Sequence, residues 1–146
     1  MASGLGRGVG LFAAGVAVTL STACGSAEKA PSAPTTTTVE CGDVAALQAQ
    51  ADNNNNAADK ATNYNGINQA RAAGAFYGAL AIAAAEKCIT GDVPSADGTL
   101  AQALAEAQTA RSASDYREAT DDWGKATILA ELAIRQLMNA AQTPHS

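Results

Sequence analysis

The chain has 146 residues, with 9 basic and 14 acidic side chains, a formal net charge of −5, 47% hydrophobic and 4% aromatic residues. An acidic chain of this size offers no cationic track for a polyanion, which excludes nucleic acid as an expected partner. Its one histidine, His145, is the penultimate residue, which excludes a multi-histidine metal centre or a histidine general base within one chain.

The N-terminal stretch has one basic residue, Arg7, then an apolar run from Val9 to Leu20, then Ser21-Thr22-Ala23 ahead of Cys24. A basic start, an apolar run too short for a comfortable span and a small-residue junction are the layout of a removable secretory signal over residues 1–23. Leu20-Ser21-Thr22-Ala23-Cys24-Gly25 resembles the lipobox of bacterial lipoproteins, with Ser21 where the family pattern has Leu. The resemblance covers residues 1–26. It implies cleavage before Cys24, acylation of Cys24 by palmitate-type chains, and attachment to the extracytoplasmic face of a cell membrane. Two or three chains would make that attachment stable, because one binds only marginally. Ser21-Thr22-Ala23 equally suits ordinary signal peptidase, which would leave the protein secreted.

Loss of residues 1–23 removes Arg7 and no acid, leaving 8 basic and 14 acidic side chains and a net charge of −6. Residues 24–40 are rich in Ser, Thr, Ala and Pro, with no large apolar side chain before Val39. Such a segment cannot repay the entropy of ordering and reads as a flexible tether. Three cysteines, Cys24, Cys41 and Cys88, are an odd number for an exported chain. A lipidated Cys24 leaves Cys41 and Cys88 as a pair.

Residues 41–142 read as one helical domain, and 143–146 as a disordered tail. About a quarter of the chain is alanine, the best helix former. Apolar residues recur at spacings of three and four through Val44, Leu47, Ala51 and Ala58, then Ala70, Ala73, Tyr77, Leu80 and Ala84. The same spacing runs through Leu100, Ala103, Ala107 and Ala110, and through Tyr116, Ala119, Trp123, Ala126, Ala130, Ala133 and Leu137. This predicts an all-α fold: a small antiparallel bundle of about four helices, near 42–63, 67–89, 98–112 and 115–141, arranged as two hairpins. Asn65-Gly66 is the expected first turn, and Gly91 with Pro94 the expected second break. Asp97 is the expected cap of the third helix, and Ser112 or Ser114 of the fourth. The run Asn53-Asn54-Asn55-Asn56 has low helix propensity and is expected to kink or fray the first helix. Cys41 and Cys88 are symmetric about the Tyr64–Asn65 junction, so a fold-back at that turn brings them together as a disulfide closing the first hairpin.

Ile128, Leu129, Leu132 and Ile134 widen the apolar surface of the last helix, which is expected to be the most central. Trp123, Ile128, Leu129 and Leu132 are the candidate interaction surface for a protein partner. Ser114 to Ala119, with Trp123 and Ala126, resembles the turn and second helix of a tetratricopeptide repeat, and the alternative role is an extracytoplasmic ligand- or peptide-binding or inhibitor module with such a helical-hairpin surface. A shift of 52 residues superposes Gln50 on Gln102, Tyr64 on Tyr116, Leu80 on Leu132 and Ile82 on Ile134. No phosphate loop, haem-attachment motif or calcium loop occurs. The expectation is a non-enzymatic protein without metal or cofactor, anchored to the membrane by lipid and acting through protein contact or as a structural element.

Overall fold

Alanine-rich segments separated by three short polar links give four helices in the computed structural model, which describes residues 38–143. A 3-10 turn at Cys41–Asp43 leads into α1 (Val44–Lys60), followed by α2 (Tyr64–Thr90), α3 (Pro94–Ser112) and α4 (Tyr116–Gln142). No strand occurs among the described residues. The fold is an all-α bundle.

Helix α1 packs on α2, α2 on α4, and α4 on α3. No α-carbon of α2 comes within 8 Å of one in α3, although the two helices are consecutive. The spatial order is therefore α1, α2, α4, α3. Cys41 meets Cys88 at one end of the α1–α2 contact and Asp59 meets Arg71 near the other, so these two helices run antiparallel. Tyr116 lies over Gly66, and Trp123 lies against Phe76 and Tyr77, so α2 and α4 run parallel.

The core is built mainly of alanine: 17 of its 26 buried hydrophobic residues. The largest fully buried side chains are Tyr77, Phe76, Leu80 and Leu137. Helix α2 is long and apolar enough to cross a membrane by length and composition, and more than half of its most apolar window is buried inside the fold. Its packing between α1 and α4 accounts for that character. The last helix, expected to be the most central, shares that place with α2, which is covered on both sides and buries more positions.

Several boundaries differ from the sequence expectation, each for a local reason. The first link is Ala61–Asn63, and Asn65 and Gly66 belong to the first turn of α2. Asn63 caps that turn, its Oδ1 accepting from the backbone N–H groups of Asn65 (2.8 Å) and Gly66 (3.2 Å). Pro94 opens α3 at its first turn, where the missing N–H costs nothing, so the helix starts before Asp97. Asp115 caps α4 by accepting from the Glu118 N–H at 2.9 Å, in place of Ser112 or Ser114. Gly91, at φ 78°, ends α2 as expected. The asparagine run does not interrupt α1, which is helical through all four positions: Asn54 is buried and its side chain donates to the Gln50 carbonyl at 2.8 Å.

The 52-residue coincidence holds for the connections more than for the packing. Helices α2 and α4 both have 27 residues and start 52 apart. Their preceding links match too, with Ala61 and Ala113 as C-caps and Asn63 and Asp115 as N-caps. Yet Leu80 is fully buried while Leu132 is 41% exposed. The buried positions of α4, Ala119, Asp122, Trp123, Ala126, Ala130, Ala133 and Leu137, instead have buried counterparts 53 residues earlier in α2. One residue of phase separates the two helices' inner faces.

Gly74 sets how closely α1 and α2 approach. A Cβ there would sit 2.5 Å from Asn55 Oδ1 and 3.3 Å from the Ala51 carbonyl oxygen, whereas at Gly78 and Gly124 it would meet nothing within 4 Å. Gly74→Ala is expected to lower stability by about 1–2 kcal/mol through overpacking. Gly78→Ala and Gly124→Ala are each expected to raise it by about 0.5–1 kcal/mol through helix propensity. Thermal or denaturant unfolding of the three variants checks these opposite signs.

Candidate functional site

The densest concentration of charge and covalent constraint lies where the chain joins the bundle. Residues 38–43 cross the C-terminal end of α2 and touch the start of α1. Val39 is 3% exposed and belongs to the core. Two residues on, Cys41 is joined to Cys88, with Cα atoms 4.8 Å apart. Helices α1 and α2 have 17 and 27 residues, unequal lengths that still bring the cysteines together. The larger rise of the 3-10 turn ahead of α1 makes up part of the difference.

Lys87, the residue before Cys88, is 7% exposed. Its ammonium donates to the Val39 carbonyl at 2.8 Å, to Glu40 Oε2 at 3.0 Å and to Asp97 Oδ1 at 3.0 Å, and lies 3.3 Å from Asp92 Oδ1. One cation thus ties together the leading segment, α2, the α2–α3 link and the first turn of α3. Burial alone would push the Lys87 pKa down. The hydrogen bonds to Glu40, Asp97 and Asp92 outweigh burial and hold it above the ordinary lysine value. Asp97, expected as a cap, is one of these ligands.

A second cluster bridges α2 and α3 across α4. Phe76, Tyr77 and Trp123 pack with ring centroids 5.3–5.8 Å apart. The Arg111 guanidinium lies 5.7 Å from the Trp123 ring centroid and donates to the Tyr77 hydroxyl. Burial raises the Tyr77 pKa, with a smaller opposing pull from Arg111.

Trp123 therefore belongs to the core, at 3% exposure, and not to an exposed contact surface. Of the other residues proposed for that surface, Ile128 is 63% and Leu132 41% exposed, while Leu129 is partly buried against the core. Asp121 is exposed, but its neighbour Asp122 is buried, 3.5 Å from Lys125. Tyr116, Ala119, Trp123 and Ala126 point their repeat-like spacing inward, with Ala119, Trp123 and Ala126 buried. A shallow depression of about 210 Å3 between the N-terminal turns of α2 and α4 is lined by Asn65, Asn68, Arg117, Thr120 and Asp121. No group of three or more His, Cys, Asp or Glu arranged to hold a metal occurs among the described residues. Cys24 and His145 lie outside them.

Sequence reasoning missed Lys87. Its signal was present: it is the one basic residue between Arg71 and Arg111, placed in the most apolar helix and next to a cysteine. No family model, no curated protein and no solved structure matches the chain.

Lys87→Met is expected to cost about 2 kcal/mol, held to that size because its half-exposed carboxylate partners regain water when the ammonium is lost. The pH dependence has a definite sign. A cation whose pKa is higher in the folded than in the unfolded chain stabilises in full below its unfolded value, 10.5, and loses that contribution as pH rises toward the folded value. Tyr77 acts in the same direction, because the unfolded phenol ionises first, near its ordinary value of 10.0. Denaturant unfolding should show both contributions constant from pH 7 to about 10 and falling above it. The fall should be shallower in Lys87→Met; an unchanged alkaline slope would remove the assigned role of Lys87.

Proposed function

We propose that this protein is a non-enzymatic lipoprotein of a bacterial cell envelope. It is held on the extracytoplasmic face of the membrane through Cys24 and a 24–40 tether, and it presents its helical domain as a contact or structural element. The observation that carries this reading is the partition of the three cysteines: Cys41 and Cys88 are joined to each other, so neither takes up Cys24, which stands at the end of the signal-like segment. A disulfide persists in oxidising compartments, which accords with export. The exposed Ile128 and Leu132, four residues apart on α4, are the proposed contact residues for a protein partner.

Cell fractionation tests the anchor. The unaltered chain is expected in the membrane fraction with an acylated N-terminal Cys24 peptide by mass spectrometry, and Cys24→Ala in the soluble or extracellular fraction. Retention of Cys24→Ala in the membrane would overturn the reading. Crosslinking in the native envelope addresses contact: a stoichiometric partner whose recovery falls for Ile128→Glu, with melting unchanged, is the expected result.

A further inference from the structure

The segment from Thr38 to Asp43 is fixed to the bundle in three different ways. Val39 is buried in the core, its carbonyl and the Glu40 carboxylate accept hydrogen bonds from Lys87, and Cys41 is covalently joined to Cys88. Its internal turn is closed by the Glu40 N–H donating to Asp43 Oδ2 at 2.8 Å and the Asp43 N–H donating to the Glu40 carbonyl at 2.9 Å. Its 3-10 turn, Cys41–Asp43, packs on α2 and on α1 and on no other helix, while Val39 joins the core cluster. Both cysteines are exposed. Apart from the Lys87–Asp97 tie between α2 and α3, the contacts named above between the helices lie elsewhere: the Phe76–Tyr77–Trp123 cluster, the buried alanines of α4, and the Leu47, Ala51, Ala58 and Gly74 positions of α1 and α2.

We infer that residues 38–43 form a redox-released clasp: an exported dithiol reductant opens the Cys41–Cys88 bond in the native protein and frees this segment while the four-helix core stays folded. One thiolate of the dithiol attacks a cysteine sulfur, forming a mixed disulfide and expelling the other cysteine as thiolate. The second thiol then closes the reductant into its own disulfide and expels the remaining cysteine. Two electrons pass from the dithiol to the protein disulfide, and the dithiol's two protons end on Cys41 and Cys88. The exposed setting of both cysteine residues lets the attack occur without global unfolding. Release withdraws Val39 from the core, removes two of the four oxygens around Lys87, and adds six residues, roughly 20 Å of extended chain, to whatever precedes them. The clasp is a property of the domain and does not depend on whether Cys24 carries lipid.

The test uses the full mature chain with dithiothreitol as the dithiol. Reduction is expected to proceed in native buffer at a rate insensitive to low denaturant. After alkylation of the two thiols, amides 39–47 are expected to lose their protection against hydrogen exchange, while amides of 76–84 and 119–137 stay strongly protected, accelerated only by the global stability that the bond contributes. The Cys41→Ser/Cys88→Ser double variant should show the same pattern, and Lys87→Met with the disulfide intact should not release the segment. If that double variant fails to fold, the reduced, alkylated natural chain supplies the same reading. Uniform acceleration across all helices would overturn the inference, because the disulfide would then be a global staple. Unchanged exchange at 39–47 would also overturn it, because the segment would then be held without the covalent bond. A reduction rate that follows global unfolding would do the same.

Discussion

The constraint on which the rest depends is the size of the side chains at the helix contacts. Most of the core is alanine, and an alanine side chain removes little apolar surface from water. Close packing recovers dispersion energy only where backbones approach, and Gly74 against Ala51 and Asn55 marks such an approach. A bundle of about 100 residues with so thin a core has little reserve. Three concentrated reinforcements answer that shortage. The aromatic cluster packs large rings between α2 and α4, the Cys41–Cys88 bond restricts the unfolded chain, and the Lys87 cluster ties the C-terminal end of α2 to the start of α3.

The two clusters also resolve a problem of topology. Helices α2 and α3 follow each other in sequence but lack close backbone contact, because α4 lies between α2 and α3 in the packing order. What joins them directly is long side chains: Lys87 reaching Asp97 at one end and Arg111 reaching Tyr77 farther along. Such reach requires flexible cationic stems, which lie along apolar surface while the charged head finds oxygen. An alanine-rich helix pair could not span the gap by itself.

How much of this was legible in the sequence follows from the range of each signal. The four helices were readable from apolar residues three and four apart, and the Cys41–Cys88 pairing from its symmetry about a turn. The turn itself was displaced. Asn65-Gly66 carries a turn signature, but Asn63 supplies the cap, and Gly66 serves instead as the flat seat for the Tyr116 ring. That role exists only once α4 is in place. The same limit applies to Trp123, whose sequence setting fits an exposed site as well as a core, and to Lys87, whose partners come from positions 39, 40, 92 and 97. Local periodicity carries no information about which helix lies beside α4.

The junction at residue 41 has a mechanical consequence if the chain is tethered as proposed. Tension applied ahead of residue 38 reaches Cys41 and passes through the disulfide to Cys88, near the end of α2. Residues 42–87 then form a closed covalent loop outside the load path, and α1 is spared although it is the first helix of the domain. Without the bond, the same pull would act on the start of α1. It would peel a 17-residue helix that packs on α2 alone among the helices. Lys87 sits beside the bond and binds both the segment that arrives under load and the first turn of α3. The load therefore enters the structure at the point where backbone, disulfide and ion cluster coincide, and the thin alanine seams carry less of it.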